Sequence, residues 1–192
     1  MSFVANPFVV VLDANVLFPV RVRDILLSFA DEGLFRARLT GEIVDEWTRN
    51  LIELKPHLES SIRRQVELLD MHFPECFVQG YRPLIEGLTL PDPDDRHVLA
   101  AAIRCSAQVI VTEDRRDFPA DVLDEHGIEV LGADDVLVNA YDLYPAQARH
   151  ALKTVRSRYR NPPMTATAFL IDLVRSGLPK LAAMARQDIK FL

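Results

Sequence analysis

Acidic residues recur in this chain where strands end or helices begin: Asp13, Glu46, Asp95 and Asp114. Asp13 follows the apolar run Phe8-Val9-Val10-Val11-Leu12, and Asp114 follows Val109-Ile110-Val111-Thr112. Both runs read as buried parallel strands. In open α/β sheets, ligands bind in the crevice outside the carboxyl ends of the strands. Carboxylates gathered there repel one another, and each resists ionisation unless a cation joins them. All-oxygen donors of this kind suit a hard divalent ion, Mg²⁺ or Mn²⁺. Metal-assisted hydrolysis of a phosphodiester is the matching chemistry, and it needs no Ser, Cys or His nucleophile.

Each acid has competitors nearby. Glu42 and Asp45 share a charged helix with Glu46, and the residues alone do not choose among them. Asp92, Asp94 and Asp95 precede one helix; at least one of the three is expected to cap it, with Asp94 assigned as cap and Asp95 to the metal. Asp114 competes with Glu113 and Asp117. Asn15 is placed to hydrogen-bond Asp13 or a scissile phosphate, although Asn is also an ordinary turn residue. Thr112 is placed to orient Asp114 through its hydroxyl. Arg115 and Arg116 are candidates to neutralise a phosphate, or else to pair with Asp117 or Asp121. His97 reads as a surface or packing histidine, and Trp47 and Phe118 as core.

The elements that would position these residues alternate. Apolar positions Val22, Ile25, Leu26 and Phe29 have helical spacing, with Gly33 as a stop. A short strand is expected within 34–39. Thr40 is an N-cap for a helix through Leu54, with Ile43, Val44, Trp47 and Leu51 facing inward. A helix over 58–73 ends at Pro74, and 76–78 is a weak strand. A helix to about Cys105, a strand at 109–112, a helix near 120–125, a strand at 128–131 and a helix over 134–144 follow. Alternation predicts parallel pairing and right-handed crossovers. Pro145 marks a boundary, and three helices are expected over 146–159, 165–175 and 179–188.

The segments Val-Leu-Asp13-Ala-Asn15, Ile-Val-Asp-Glu46-Trp, Asp94-Asp95-Arg-His-Val-Leu-Ala and Val-Thr112-Glu-Asp114-Arg-Arg-Asp117-Phe118 resemble, in order and spacing, the four motifs of PIN-domain nucleases. The resemblance covers about residues 8–140. It implies a three-layer α/β/α sandwich with a parallel central sheet, and it selects Asp13, Glu46, Asp95 and Asp114 as the acids that hold Mg²⁺ or Mn²⁺ for RNA cleavage. It also implies a VapC-like toxin, a cognate antitoxin as partner and a homodimer. The helices after residue 144 go beyond the minimal toxin. The expected organisation is a nuclease domain, 1–144, and a basic helical extension, 145–192. A haloacid-dehalogenase-like phosphatase is disfavoured, because Asn15 stands where that chemistry wants a second Asp and Leu17 where it wants a hydroxyl. A nuclease-like module that only binds RNA or protein is the other alternative.

Composition agrees with one substantial domain and an appendage. The chain has 192 residues, 49% of them hydrophobic, enough for a packed core. No apolar run nears the roughly 20 residues of a membrane helix, and Met1–Pro7 lacks the basic start of a signal peptide. Two cysteines without a CxxC make zinc unexpected and suit a reducing cytoplasm, where they would be buried apolar groups. Residues 145–192 hold nine Lys/Arg against two acids, a net +7, which leaves −13 for the rest of a chain whose total is −6. That asymmetry is suited to a polyanionic partner, or to attraction between the two parts of the chain.

Overall fold

The computed structural model describes residues 7–192. The signal-peptide reading rests on residues 1–6 and lies outside the described residues. In chain order the elements are β1 (Val9–Leu12), α1 (Ala14–Leu17), α2 (Val20–Asp31), β2 (Arg36–Arg38), α3 (Gly41–Leu54), α4 (Glu59–His72), α5 (Arg82–Ile85), α6 (Arg96–Arg104), β3 (Val109–Val111), α7 (Ala120–Asp124), β4 (Glu129–Leu131), α8 (Ala133–Leu143), α9 (Pro145–Ser157), α10 (Ala166–Arg175) and α11 (Pro179–Gln187). The four strands form one sheet in the order β2-β1-β3-β4. β1 pairs parallel with β3 and β3 parallel with β4, with Val11 opposite Ile110 and Ile110 opposite Val130. This is the parallel α/β sheet flanked by helices, with further helices at the carboxyl end, that the alternation of elements predicts.

Packing divides the chain into two compact units that interleave in sequence. One comprises residues 8–18 and 37–131 and holds the sheet; the other comprises 1–7, 19–36 and 132–192. In the sheet unit, β1 and β3 are continuous β-branched runs, and Val10, Val11, Leu12, Ile110 and Val111 are fully buried. Apolar residues on both faces of a strand demand cover on both faces. α6 packs against β1 and β3, and α1 and α4 pack against α3. The Thr40 hydroxyl accepts the Ile43 amide at 3.1 Å and fixes the start of α3. From there Ile43, Val44, Trp47 and Leu51 fall on one buried face, the spacing of an amphipathic helix.

The segment expected as a strand at 76–78 is instead a 3-10 turn, Pro74–Cys76, followed by a single parallel bridge between Leu39 and Phe77. Pro74 starts the turn, and only the Leu39–Cys76 and Val78–Leu39 amide bonds, both 2.8 Å, tie the extended part to its neighbour. Trp47 and Phe118 are core, as expected, and Cys76 is buried, whereas Cys105 is only partly so.

In the second unit, α2 packs on α9, α8 on α9 and α11, and α10 on α11. α2 ends at Gly33, whose φ of 74° lies in the left-handed region that favours glycine. The Leu34 amide then returns to the Phe29 carbonyl at 3.0 Å. Several charges of the carboxy-terminal segment are used inside this unit. Arg21 pairs with Asp172 and lies over the Tyr159 ring, 4.3 Å from its centroid. Asp188 accepts from Tyr141 Oη at 2.8 Å and Arg149 Nη1 at 3.1 Å.

Candidate active site

The parallel pairing of β1 with β3 brings their carboxyl ends side by side, and the Asp13 amide donates to the Val111 carbonyl at 3.1 Å. Residues just beyond the two strands are therefore neighbours despite nearly a hundred intervening positions. Asp13 is 5% exposed and caps α1, accepting the Ala14 amide on Oδ1 at 2.7 Å. Its Oδ2 accepts Asn15 Nδ2 and the Thr112 hydroxyl, both at 2.8 Å. Burial pushes the Asp13 carboxyl up; the Thr112 and Ala14 hydrogen bonds counter it, and Glu46 adds a like charge that raises it further.

Asn15 is the hub of this arrangement. Its Nδ2 stands 2.7 Å from Thr112 Oγ1 and 2.9 Å from Asp114 Oδ2 as well as next to Asp13, and its Oδ1 accepts the Glu113 amide at 3.1 Å. One amide thus ties both strand ends and lies between two carboxylates. Thr112 is fully buried. Its hydroxyl donates to Asp13 and accepts the Asp114 backbone amide at 3.1 Å, so it touches the backbone of Asp114 rather than the carboxylate.

Asp95 closes a 3-10 turn, Pro93–Asp95, and occupies the position before α6 without capping it through its side chain. The cap is Asp92, which accepts the Asp94 amide at 2.8 Å. The expected capping role of Asp94 is therefore wrong: Pro93 sets a turn in which the residue before it reaches forward. The Asp95 carboxyl is pushed up to about 7, chiefly by burial and then by the charges of Asp13, Asp92, Asp117 and Glu46.

Glu46 emerges at the edge of the buried face of α3, its side chain 40% exposed, with Oε2 3.8 Å from His97 Nε2. Its competitor Glu42 is engaged elsewhere, accepting from Tyr81 Oη at 3.0 Å and Arg82 Nε at 2.7 Å. Burial pushes the Glu42 carboxyl up, but those two hydrogen bonds hold it below its usual range. His97 is the residue the sequence reading passed over. Its side chain is 13% exposed and faces the acids, and its Nδ1 is buried without a hydrogen-bond partner. The available signal was its place in the first turn of α6, because helical side chains lean toward the amino end.

Asp13, Asn15, Glu46, Asp95, His97 and Asp114 all line one open cleft of about 680 Å³, together with Glu42, Asp45, Asp92, Asp94 and Asp117; its one arginine is Arg49. Arg115 and Arg116 are exposed on the turn after Asp114 and are not among its lining residues. Asp13, Asp95 and Asp114 form no ion pair with an arginine or lysine among the described residues. In kind, these donors fit a hard divalent cation: the ligand atoms are carboxylate oxygens, and their charge is not balanced by cations of the protein. In arrangement they are open, since among the described residues no three Asp, Glu, His or Cys side chains are grouped to hold an ion as they stand. The Asn15 amide, rather than a cation, lies between Asp13 and Asp114.

A family model described as PIN domain matches residues 9–116, more than half of the chain, and one described as VapC50 C-terminal domain matches residues 133–187. A curated protein of Mycobacterium tuberculosis, named "Putative ribonuclease VapC50", is 38% identical over 112 residues. The match covers 58% of this chain and 65% of that protein's length. No solved structure matches the chain. Among the described residues, no helix is long and apolar enough to cross a membrane.

Proposed function

The chain belongs to the PIN-domain family, and on that premise we propose that it is a metal-dependent endoribonuclease, the toxin of a type II toxin–antitoxin pair. The observation that carries the reading is the convergence of Asp13, Glu46, Asp95 and Asp114 on one cleft from four separate parts of the chain. The similarity to a protein named as a VapC ribonuclease supports both RNA as substrate and an antitoxin as partner. A homodimer in the cytoplasm is part of the same reading. Catalysis is assigned to residues 1–144, and 145–192 is the appended basic helical region.

In the mechanism, Asp13, Glu46, Asp95 and Asp114 hold Mg²⁺ or Mn²⁺. When bound, such an ion lowers the pKa of water and offsets the charge on the phosphodiester. The protein's own contribution is orientation. Asp13 keeps its carboxylate fixed through Ala14, Asn15 and Thr112, which use three of its roughly four lone-pair directions and leave one for a ligand. Thr112 is a positioning residue, too deeply buried to meet substrate. Asn15 holds Asp13 and Asp114 in register and is partly exposed, so its amide is also placed to meet a phosphate oxygen. Arg115 and Arg116, on the surface after Asp114, are assigned to flanking phosphates. Single-stranded or looped RNA suits an acidic cleft, because its backbone bends into a pocket that a duplex does not enter.

The test is cleavage of single-stranded RNA by the purified chain supplied with Mg²⁺ or Mn²⁺. Asp13→Asn removes one charge while keeping shape, and loss of cleavage is the expected result. Equal cleavage by Asp13→Asn and the parent would overturn the assignment. Growth arrest on expression, relieved by the product of an adjacent reading frame, tests the toxin reading separately.

A further inference from the structure

The acidic cleft does not end at its own walls. A second groove, of about 290 Å³, runs between α3 and α4 and is lined by Asp45, Thr48, Arg49, Ile52, Glu53 and Arg63. Asp45 and Arg49 line both spaces, so the groove is a continuation of the cleft. The electrostatic character changes across that junction. The cleft carries nine carboxylate side chains against Arg49 and His97. The groove carries two carboxylates and two guanidinium groups. A polyanion leaving the cleft therefore meets its first balanced surface along α3 and α4.

Arg49 stands at the junction and makes no hydrogen bond or ion pair among the described residues. An arginine left unpaired among many carboxylates is placed for an incoming anion rather than for the fold. Arg63 is held only by Glu59, one turn away, at 2.8 and 2.9 Å, and both side chains are exposed. Such a surface pair is readily exchanged for a phosphate, whose planar bidentate contacts a guanidinium matches well. Ile52 gives the groove an apolar patch between the two arginines in sequence, suited to the face of a base.

We infer that the α3–α4 groove is an extension subsite for the strand flanking the scissile bond, with Arg49 and Arg63 each taking a backbone phosphate. The inference rests on the ribonuclease reading and adds to it the path by which the RNA leaves the cleft.

The experiment is fluorescence anisotropy on the full chain, with Ca²⁺ supplying divalent charge, using a labelled single-stranded RNA of about ten nucleotides and a dinucleotide. The parent should bind the longer RNA more tightly. Arg49→Ala and Arg63→Ala should each weaken that binding by about three- to tenfold and reduce the salt slope by about 0.7, with a smaller loss for the dinucleotide. Arg49→Lys should keep the slope. Circular dichroism reads folding alongside. Unchanged affinity and slope in both alanine variants overturn the subsite while leaving the ribonuclease reading intact. Failure of the parent to bind or cleave either RNA overturns the reading and the subsite together. Normal RNA binding with lost affinity for a protein partner makes the groove a protein surface, which also overturns it.

Discussion

The Thr112 hydroxyl donates to Asp13 Oδ2 at 2.8 Å, joining two residues 99 positions apart at the ends of adjacent strands. Thr112 has no exposed surface and Asp13 almost none, so this bond has no water to replace it. A valine in place of Thr112 keeps the shape and removes the donor. Thr112→Val is expected to cost about 1–3 kcal/mol, the penalty for a buried group left short of a partner. Because the ionised carboxylate needs the donor most, the loss should be larger at pH 8 than at pH 5. Urea unfolding at the two pH values checks this, and Thr112→Ser should recover most of the loss. A pH-independent cost would mean that the bond does not serve the charge on Asp13.

Asn15 sets the spacing of Asp13 and Asp114. Asn15→Asp replaces a shared donor with a third carboxylate at the same point. In chelator at pH 8 the variant is expected to melt below the parent, and Mg²⁺ or Mn²⁺ should narrow the gap by offsetting the added charge. Differential scanning fluorimetry with and without the ion reads both. A gap that ignores the ion would remove the argument that the cluster is built around a cation.

Asp95 gives the chain a pH-dependent stability with a definite sign. Its carboxyl is raised from 3.8 to about 7 in the folded protein, so the folded state binds that proton more tightly than the unfolded chain does. The resulting stabilisation is complete below pH 3.8 and is lost as pH rises through 7. In chelator the melting temperature should therefore fall between pH 6 and pH 8, and Asp95→Asn should flatten that slope. Saturating divalent ion should flatten it too, since a bound cation favours the ionised form.

Glu42 and Glu46 are one helical turn apart, and their surroundings separate their roles. Glu42 is tied to Tyr81 and Arg82, while Glu46 has only the distant His97 contact. Glu46→Gln is expected to lower the cleavage rate by roughly ten- to a hundredfold with little change in melting temperature. Glu42→Gln should chiefly lower stability. RNA cleavage and thermal melting of the two variants side by side decide the matter, and a reversed pattern would put Glu42 in the site.

Much of this molecule is written locally. The β-branched runs before Asp13 and Asp114, the N-cap at Thr40, the stop at Gly33 and the 3.6-residue spacing of Ile43, Trp47 and Leu51 each act within a few residues, and each predicts its element. The order of four acidic motifs also needs no structure to be seen. Choices between neighbouring acids are different. Asp92 rather than Asp94 became the cap because Pro93 fixed the turn, and the hydrogen bonds that engage Glu42 come from residues 39 and 40 positions away. The short helix α1, the inward place of His97 and the Asn15 hub likewise depend on what the sheet brings alongside. Residues 19–36 and 132–192 pack as one unit although more than ninety residues separate them in the chain. Periodicity reports which face of a segment is buried, but partners across space are fixed only when strands choose their register. That register, Leu12 beside Val111, is what places Thr112 against Asp13.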